Sequence, residues 1–341
     1  MTKGSGRVTM QDVAEVAGVT ARTVSNVVND YPFVKKETRA RVWDAIEQLG
    51  YTMNVSARGL KQGNTRLIAL AIPDLTMPYF ADLSDAVIAQ AQAQGMSVII
   101  EPTASSRQRE QEALHRVKSQ FAEGIIYCPL EIYQEELDQL SIGAPVVVLS
   151  EPIGQPKYDH VMIKNREAAR AATEYLIRGG SRRIAAIGLG AGQHRGPAAQ
   201  RLLGYRDALR INGINLDRHL EITTSAWHRS DGLQAVERLC RSHIPFDGIF
   251  AFTDQIAAGV LYALQVKGFK VPDDVAVIGF DNNDESQYLV PALTTVDPGI
   301  DEIAKCAVDN LIKRMSADKR QSPRVVTSVD FKLIKRQSTR S

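Results

Sequence analysis

From residue 67 onward, short uninterrupted apolar runs alternate with longer amphipathic stretches, and few folds accept that pattern. The runs are LIALAI (67–72), SVII (97–100), GIIYC (124–128), PVVVL (145–149), RIAAIG (183–188), GIFAF (248–252) and VAVIGF (275–280). Between them, residues 79–94, 107–119, 166–178, 200–211, 231–241 and 254–267 carry helical periodicity. A strand that is apolar on both faces must be covered on both, so the alternation predicts parallel sheets flanked by helices. Roughly 270 residues of this pattern suit two similar lobes better than one.

In such folds ligands sit beyond the carboxyl ends of the strands. Tyr79 and Phe80 follow the first run, Ser150 and Glu151 follow PVVVL, and Arg195 and Arg201 follow RIAAIG. Trp227 comes after HLEITT, Thr253 and Asp254 after GIFAF, and Asp281 after VAVIGF. Aromatic faces combined with arginine and aspartate forks suit a polyhydroxylated or heterocyclic small molecule. Each side chain alone also fits a structural role: Trp227 or Phe80 in a core, Asp254 as a helix cap, either arginine as a solvated charge. Their shared placement at strand ends favours a site.

The first fifty residues read differently. Thr9 stands three before Asp12, a capping-box spacing, and Val13, Val16 and Ala17 mark one apolar face behind it. Gly18 stops that helix, and Thr20 can cap the next. In the second helix Val24, Val27 and Val28 face inward, while Ala21, Arg22, Ser25 and Asn26 lie opposite. A third helix, from about Lys36 to Gln48, offers Val42, Trp43, Ile46 and Leu49, and Gly50 ends it. Helix, glycine turn, helix and packing helix is helix-turn-helix spacing, which would place the second helix in the major groove of DNA. A three-helix bundle serving another partner fits the same spacing.

Composition narrows the class. The chain has 341 residues, 44% hydrophobic and 23% charged, as in an ordinary globular protein. No apolar run approaches the roughly 20 residues of a membrane span, and MTKGSGRVTM offers no secretory segment. Cys128, Cys240 and Cys306 have neither disulfide nor metal spacing, which predicts reduced thiols in cytoplasm. Residues 1–61 hold 9 Lys and Arg against 6 Asp and Glu, whereas the remainder holds 32 against 33, so the head is mildly basic. The stretch GLGAG (188–192) could begin a dinucleotide loop, but Gln193 stands where its third glycine would fall. Without a nucleophile–base–orienter set or a metal-spaced His/Cys cluster, neither catalysis nor a cofactor is expected. A secreted solute-binding protein would match the two lobes but not the head.

The stretch VTMQDVAEVAGVTARTVSNVVN resembles the headpiece of the lactose-repressor and galactose-repressor family of bacterial regulators, and TRARVWDAIEQLGY continues the likeness. The resemblance implies a helix-turn-helix headpiece over residues 1–52, a hinge over 53–65, and a two-lobe periplasmic-binding-protein-like core over 66–335. It divides that core into a first lobe (66–163 and 294–320) and a second (164–293 and 321–335), with 336–341 as a disordered tail. It puts Ala21, Arg22 and Asn26 at base-reading positions, with Thr23 and Ser25 on phosphates. Thr9, Thr20, Asn29 and Lys61 complete the DNA-facing set. Many relatives carry arginine where this chain has Asn26, and asparagine pairs bidentately with adenine. In YTMNVSARGLKQGNTR, Leu60 matches the wedge that hinge helices push into the minor groove, Ala57 allows close approach, and Met53 replaces the usual proline.

In the core, the resemblance gives Arg201 the grip on effector, Trp227 the stacking face and Asp281 the closing carboxylate. Ser150 and Thr253 replace the aspartate and asparagine of sugar-binding relatives, while Arg195 resembles the purine-responsive ones. The implied protein is a cytoplasmic repressor, dimeric on a pseudo-palindromic operator, controlled by a sugar or sugar derivative. A nucleobase, carboxylate or phosphorylated metabolite remains open as the effector.

Overall fold

The computed structural model describes residues 8–28, 30–51, 65–117, 122–190, 196–316 and 323–340. Two compact units divide the chain, residues 1–65 and 66–341.

In the smaller unit, α1 (Met10–Ala17), α2 (Ala21–Val28) and α3 (Lys36–Leu49) close over Val13, Ala14, Ala17, Val24, Val27, Val42 and Ala45. The Asp12 amide donates to Thr9 Oγ1 (3.3 Å) and Thr9 N to Asp12 Oδ2 (2.8 Å), completing the capping box. Gly18, at φ 64°, ends α1 in the left-handed region that glycine adopts most cheaply. The buried face of α1 is turned by one position from the expected one. Ala14 replaces Val16 on it, and Val16 and Trp43 are each about half exposed, at 47% and 49%. Small alanines let three short helices approach where larger side chains would hold them apart.

The larger unit carries two six-stranded sheets. The first has the order β11-β5-β4-β3-β1-β2, from β1 (Leu67–Ile72), β2 (Ser97–Pro102), β3 (Ile125–Tyr127), β4 (Val146–Val148), β5 (Asp159–Ile163) and β11 (Val326–Val329). All its pairings are parallel. Strand β1 shows why LIALAI cannot lie at a surface. Ile68, Leu70 and Ile72 pack beneath α4 (Pro78–Ala93) and α11 (Ile300–Met315), while Ala69 and Ala71 meet α5 (Arg107–Arg116) on the other face. α6 (Gln134–Gln139) extends that second layer through Leu137.

The second sheet runs β12-β10-β9-β8-β6-β7, from β6 (Ile184–Gly190), β7 (Glu221–Thr224), β8 (Gly248–Ala251), β9 (Ala276–Phe280), β10 (Thr294–Asp297) and β12 (Lys332–Ile334). Only β12 is antiparallel to its neighbour. α7 (Asn165–Arg178), α8 (Gly196–Ile211), α9 (Arg229–Arg241) and α10 (Asp254–Val266) cover it.

Sheet membership corrects the lobe boundaries. Residues 294–297 pair with β9 and so belong to the second lobe, whereas 326–329 pair with β5 in the first. The chain therefore crosses between lobes at 163–165, 297–300 and 329–332. Lys164 and Asp330 form an ion pair between two crossings, and Gly299 lies against the Asp330 carbonyl beside the third.

The tail is a second correction. Ser338 is fully buried, its carbonyl accepting from Val277 N (2.8 Å) and its hydroxyl from Thr294 N (2.8 Å). Thr339 is bonded to the Thr294 hydroxyl (2.7 Å), and Arg340 donates to the Asp273 carbonyl (2.7 Å). Polar residues are ordered here because they satisfy backbone groups that would otherwise be buried unpaired.

Candidate functional site

The exposed face of the head is built on α2. The Thr23 amide donates to Thr20 Oγ1 (3.2 Å), so a side-chain cap fixes the helix start. Val24 and Val27 are buried, leaving Arg22 exposed and Ala21, Thr23, Ser25 and Asn26 half-buried. Thr9 and Thr20 are exposed at the starts of α1 and α2. After α2 the chain is braced by Tyr31 N bonding the Asn26 carbonyl (2.9 Å) and by Arg39, which pairs with Asp30 and donates to the Tyr31 carbonyl (3.0 Å). Asn29, Ala57, Leu60 and Lys61 lie outside the described residues.

In the core the candidates converge on Arg201. Only 3% exposed, it stands in the first half of α8, with Nε donating to Asn165 Oδ1 (2.9 Å) and Nη1 to the Phe252 carbonyl. Its Cζ lies 3.5 Å from the centroid of Phe280 and 5.3 Å from that of Trp227. A guanidinium stacked on an aromatic face still donates hydrogen bonds in its own plane, as Nε and Nη1 do here. Trp227 is fixed in turn, its Nε1 donating to the Gly188 carbonyl (2.8 Å). Gly188, at φ 135°, leaves no room for a side chain, since a Cβ would stand 2.4 Å from that of Phe252. Gly188, the first glycine of GLGAG, thus serves packing and holds the indole.

Both lobes reach this place. Tyr79, at the start of α4 in the first lobe, feels the charges of Asp281 and Arg201 in the second, while burial raises its phenol pKa. Phe80 stacks edge-on against Tyr79 at 5.2 Å and packs on the first-lobe core. Burial pushes the Asp281 carboxyl well above the ordinary carboxylate range, with Arg201 acting against it and Asp82 of the first lobe adding to it. Burial lowers the Arg201 pKa, opposed by Asp281, Tyr79 and Glu151. A poorly solvated cation and carboxylate of this kind gain most from a ligand that supplies both donors and acceptors.

Two candidates differ from expectation. Asp254 is 1% exposed, and its carboxylate accepts from Thr295 Oγ1 (2.5 Å), Ser286 Oγ (2.6 Å) and Asn283 N (3.0 Å). It ties α10 to the loop after β9 and has no face for a ligand. The Thr253 hydroxyl caps α10 by accepting from Ile256 N (3.1 Å). Ser150 contributes its carbonyl to His160 Nδ1 (3.0 Å) beside the site. Arg195 lies outside the described residues.

One residue at the site was missed. Asn165, at the start of α7, passes the Arg201 contact on to Glu151 Oε1 through its Nδ2 (3.2 Å). Nothing in the sequence marks Asn165 except its position just after a lobe crossing. Among the described residues, no group of three or more His, Cys, Asp or Glu side chains could hold a metal ion. No described helix is long and apolar enough to cross a membrane.

Comparison with known proteins agrees with this division. Residues 9–54 match the lacI family of bacterial regulatory proteins, and residues 173–339 match a periplasmic binding protein-like domain. The chain is 32% identical to a ribose operon repressor of Halalkalibacterium halodurans, over 97% of each chain. It is 31% identical to catabolite control protein A of Priestia megaterium, covering 98% of this chain and 99% of that one. Among solved structures, a lac repressor dimer bound to operator and an anti-inducer superposes with a TM-score of 0.85 at 25% identity, covering 98% of this chain and 100% of that one. A regulator CelR–cellobiose complex reaches 0.72 at 28% identity, with 97% and 100% covered. The chain belongs to the LacI family of bacterial DNA-binding transcriptional regulators.

Proposed function

We propose that this protein is a cytoplasmic repressor that binds a pseudo-palindromic operator as a dimer and releases or tightens it when a small, hydroxyl-rich effector enters between the lobes. The observation that carries the effector reading is Arg201, buried against Phe280 and Trp227 and held by Asn165. Ribose and cellobiose appear in the names of its relatives. A sugar or sugar derivative fits the rings, the guanidinium and the Asp281 carboxyl. The effector acts by binding alone, with no chemical step. Closing the lobes on it would shift the three crossings, and so couple effector to DNA reciprocally by about 1–3 kcal/mol.

On DNA, Ala21, Arg22 and Asn26 read bases, Thr23 and Ser25 hold phosphates, and Leu60 wedges the minor groove. Asn26 favours an A·T pair at the step it reads, worth about 1–3 kcal/mol over the wrong base. Selection from random duplexes is expected to enrich adenine there, and enrichment of guanine would remove Asn26 from that role.

The effector is found by a thermal-shift screen of the full chain against pentoses, hexoses, disaccharides, nucleobases and sugar phosphates. A ligand at about 100 times its Kd adds about 2.7 kcal/mol. The shift is expected from a sugar and is expected to vanish in Arg201→Ala. A hit that survives Arg201→Ala would place the effector elsewhere.

A further inference from the structure

Strand β7 ends the second sheet, and among the described residues no strand pairs with its outer edge. An open edge presents unpaired backbone donors and acceptors, and proteins commonly guard it with lysine, proline or a bulge on that strand. β7 reads Glu-Ile-Thr-Thr and carries neither lysine nor proline, and the irregularity in its pairing lies on β6, between Ile187 and Leu189. Beside this edge, between β7 and α9, runs a groove of about 610 Å³. A smaller one of about 120 Å³ continues it towards Arg218 and shares Ile222, Arg238 and Ser242 with it. Together they follow the strand rather than forming a bowl.

Its charge is one-sided. The two acids in the walls are already committed. Glu221 takes Arg206 in a bidentate pair (2.6 and 2.7 Å), and Asp231 accepts from Ser225 N (3.0 Å), Ser225 Oγ (2.9 Å) and His228 N (3.1 Å). Arg238 and Arg241, one turn apart on α9, are exposed; Arg238 makes no ion pair with any described residue, and Arg241 makes only a long, solvent-exposed one with Glu237 (3.8 Å). Thr223 and Ser225 are exposed on the opposite wall.

We propose that this groove is a docking site for an extended acidic peptide segment of a protein partner, which adds a strand to β7 and places alternate carboxylates on Arg238 and Arg241. Main-chain pairing gives such a complex its affinity, and alternate side chains give its specificity. A second copy of this chain pairing edge to edge would bring the same arginines together, and their repulsion disfavours it. The site lies apart from Arg201, so it gives the regulator an input that needs no effector between the lobes.

The test uses the full chain and three labelled heptapeptides: Glu and Val alternating, Glu and Pro alternating, and Lys and Val alternating. The Glu–Val peptide is expected to bind by fluorescence anisotropy, and at least tenfold more tightly than the other two. Affinity is expected to fall at least tenfold in Arg238→Glu/Arg241→Glu and to stay unchanged in Arg201→Ala. Hydrogen exchange is expected to slow across residues 221–225 when the peptide binds. Absence of binding, equal binding of the Glu–Pro peptide, or protection elsewhere would overturn the proposal. Protection of 221–225 that rises with protein concentration and no peptide would assign the edge to a second copy, and would overturn it as well.

Discussion

Removal of residues 336–341 is expected to lower the melting temperature of the two-lobe unit by about 4 °C or more. Truncation takes away the Ser338 carbonyl from Val277 N and the Ser338 hydroxyl from Thr294 N. Both amides belong to strands at the centre of the second sheet or next to it, where water reaches them poorly. A buried donor left unpaired costs about 1–3 kcal/mol, so two cost about 2–6. In a unit of this size each kcal/mol moves the midpoint by about 2 °C or slightly more. Ser338→Ala is the milder probe, since it keeps the main-chain carbonyl and removes only the hydroxyl. It is expected to cost about 1–3 kcal/mol by the same penalty. Calorimetry of the three proteins decides the matter, and a truncated chain melting with the parent would show the tail to be an ornament.

That tail illustrates what a sequence displays and what it hides. Most interior strands were legible because burial on both faces demands an unbroken apolar run, as in LIALAI and VAVIGF. Two strands of the margins were not: VTSV and KLI hold one face to solvent and carry polar residues that break the run. β5 was hidden for another reason. Its first residues, Asp159 and His160, are polar yet buried, because Asp159 pairs with Arg314 of α11 (2.6 and 2.8 Å) from 155 residues away. A partner that distant leaves no local signal. The site divides in the same way. Arg201, Trp227 and Asp281 were visible as strand-end chemistry. Asn165 and the committed carboxylate of Asp254 depend on which donors the fold delivers, and periodicity does not report that.

Gly259→Ala is expected to destabilise the core by about 3 kcal/mol or more, lowering its melting temperature by about 6 °C or more. In an isolated helix the same change would stabilise by about 1 kcal/mol, so the sign tests tertiary packing against propensity. Here α9 and α10 touch backbone to backbone. A Cβ on Gly259 would stand 1.9 Å from the Arg229 carbonyl oxygen, and one on Gly232 2.1 Å from that of Ile256. No side-chain rotation relieves a clash with a main-chain oxygen, so the helices must part. The consequence reaches the site, because Trp227 stands two residues before α9 while Thr253 and Asp254 begin α10. Parting the helices pulls the indole away from Arg201 and strains the Asp254 bonds that hold the loop following Asp281. Gly259→Ala is therefore expected to weaken the effector-induced thermal shift more than its loss of stability alone accounts for. A variant that melts lower yet shifts as much as the parent would show that the ligand site tolerates movement between α9 and α10.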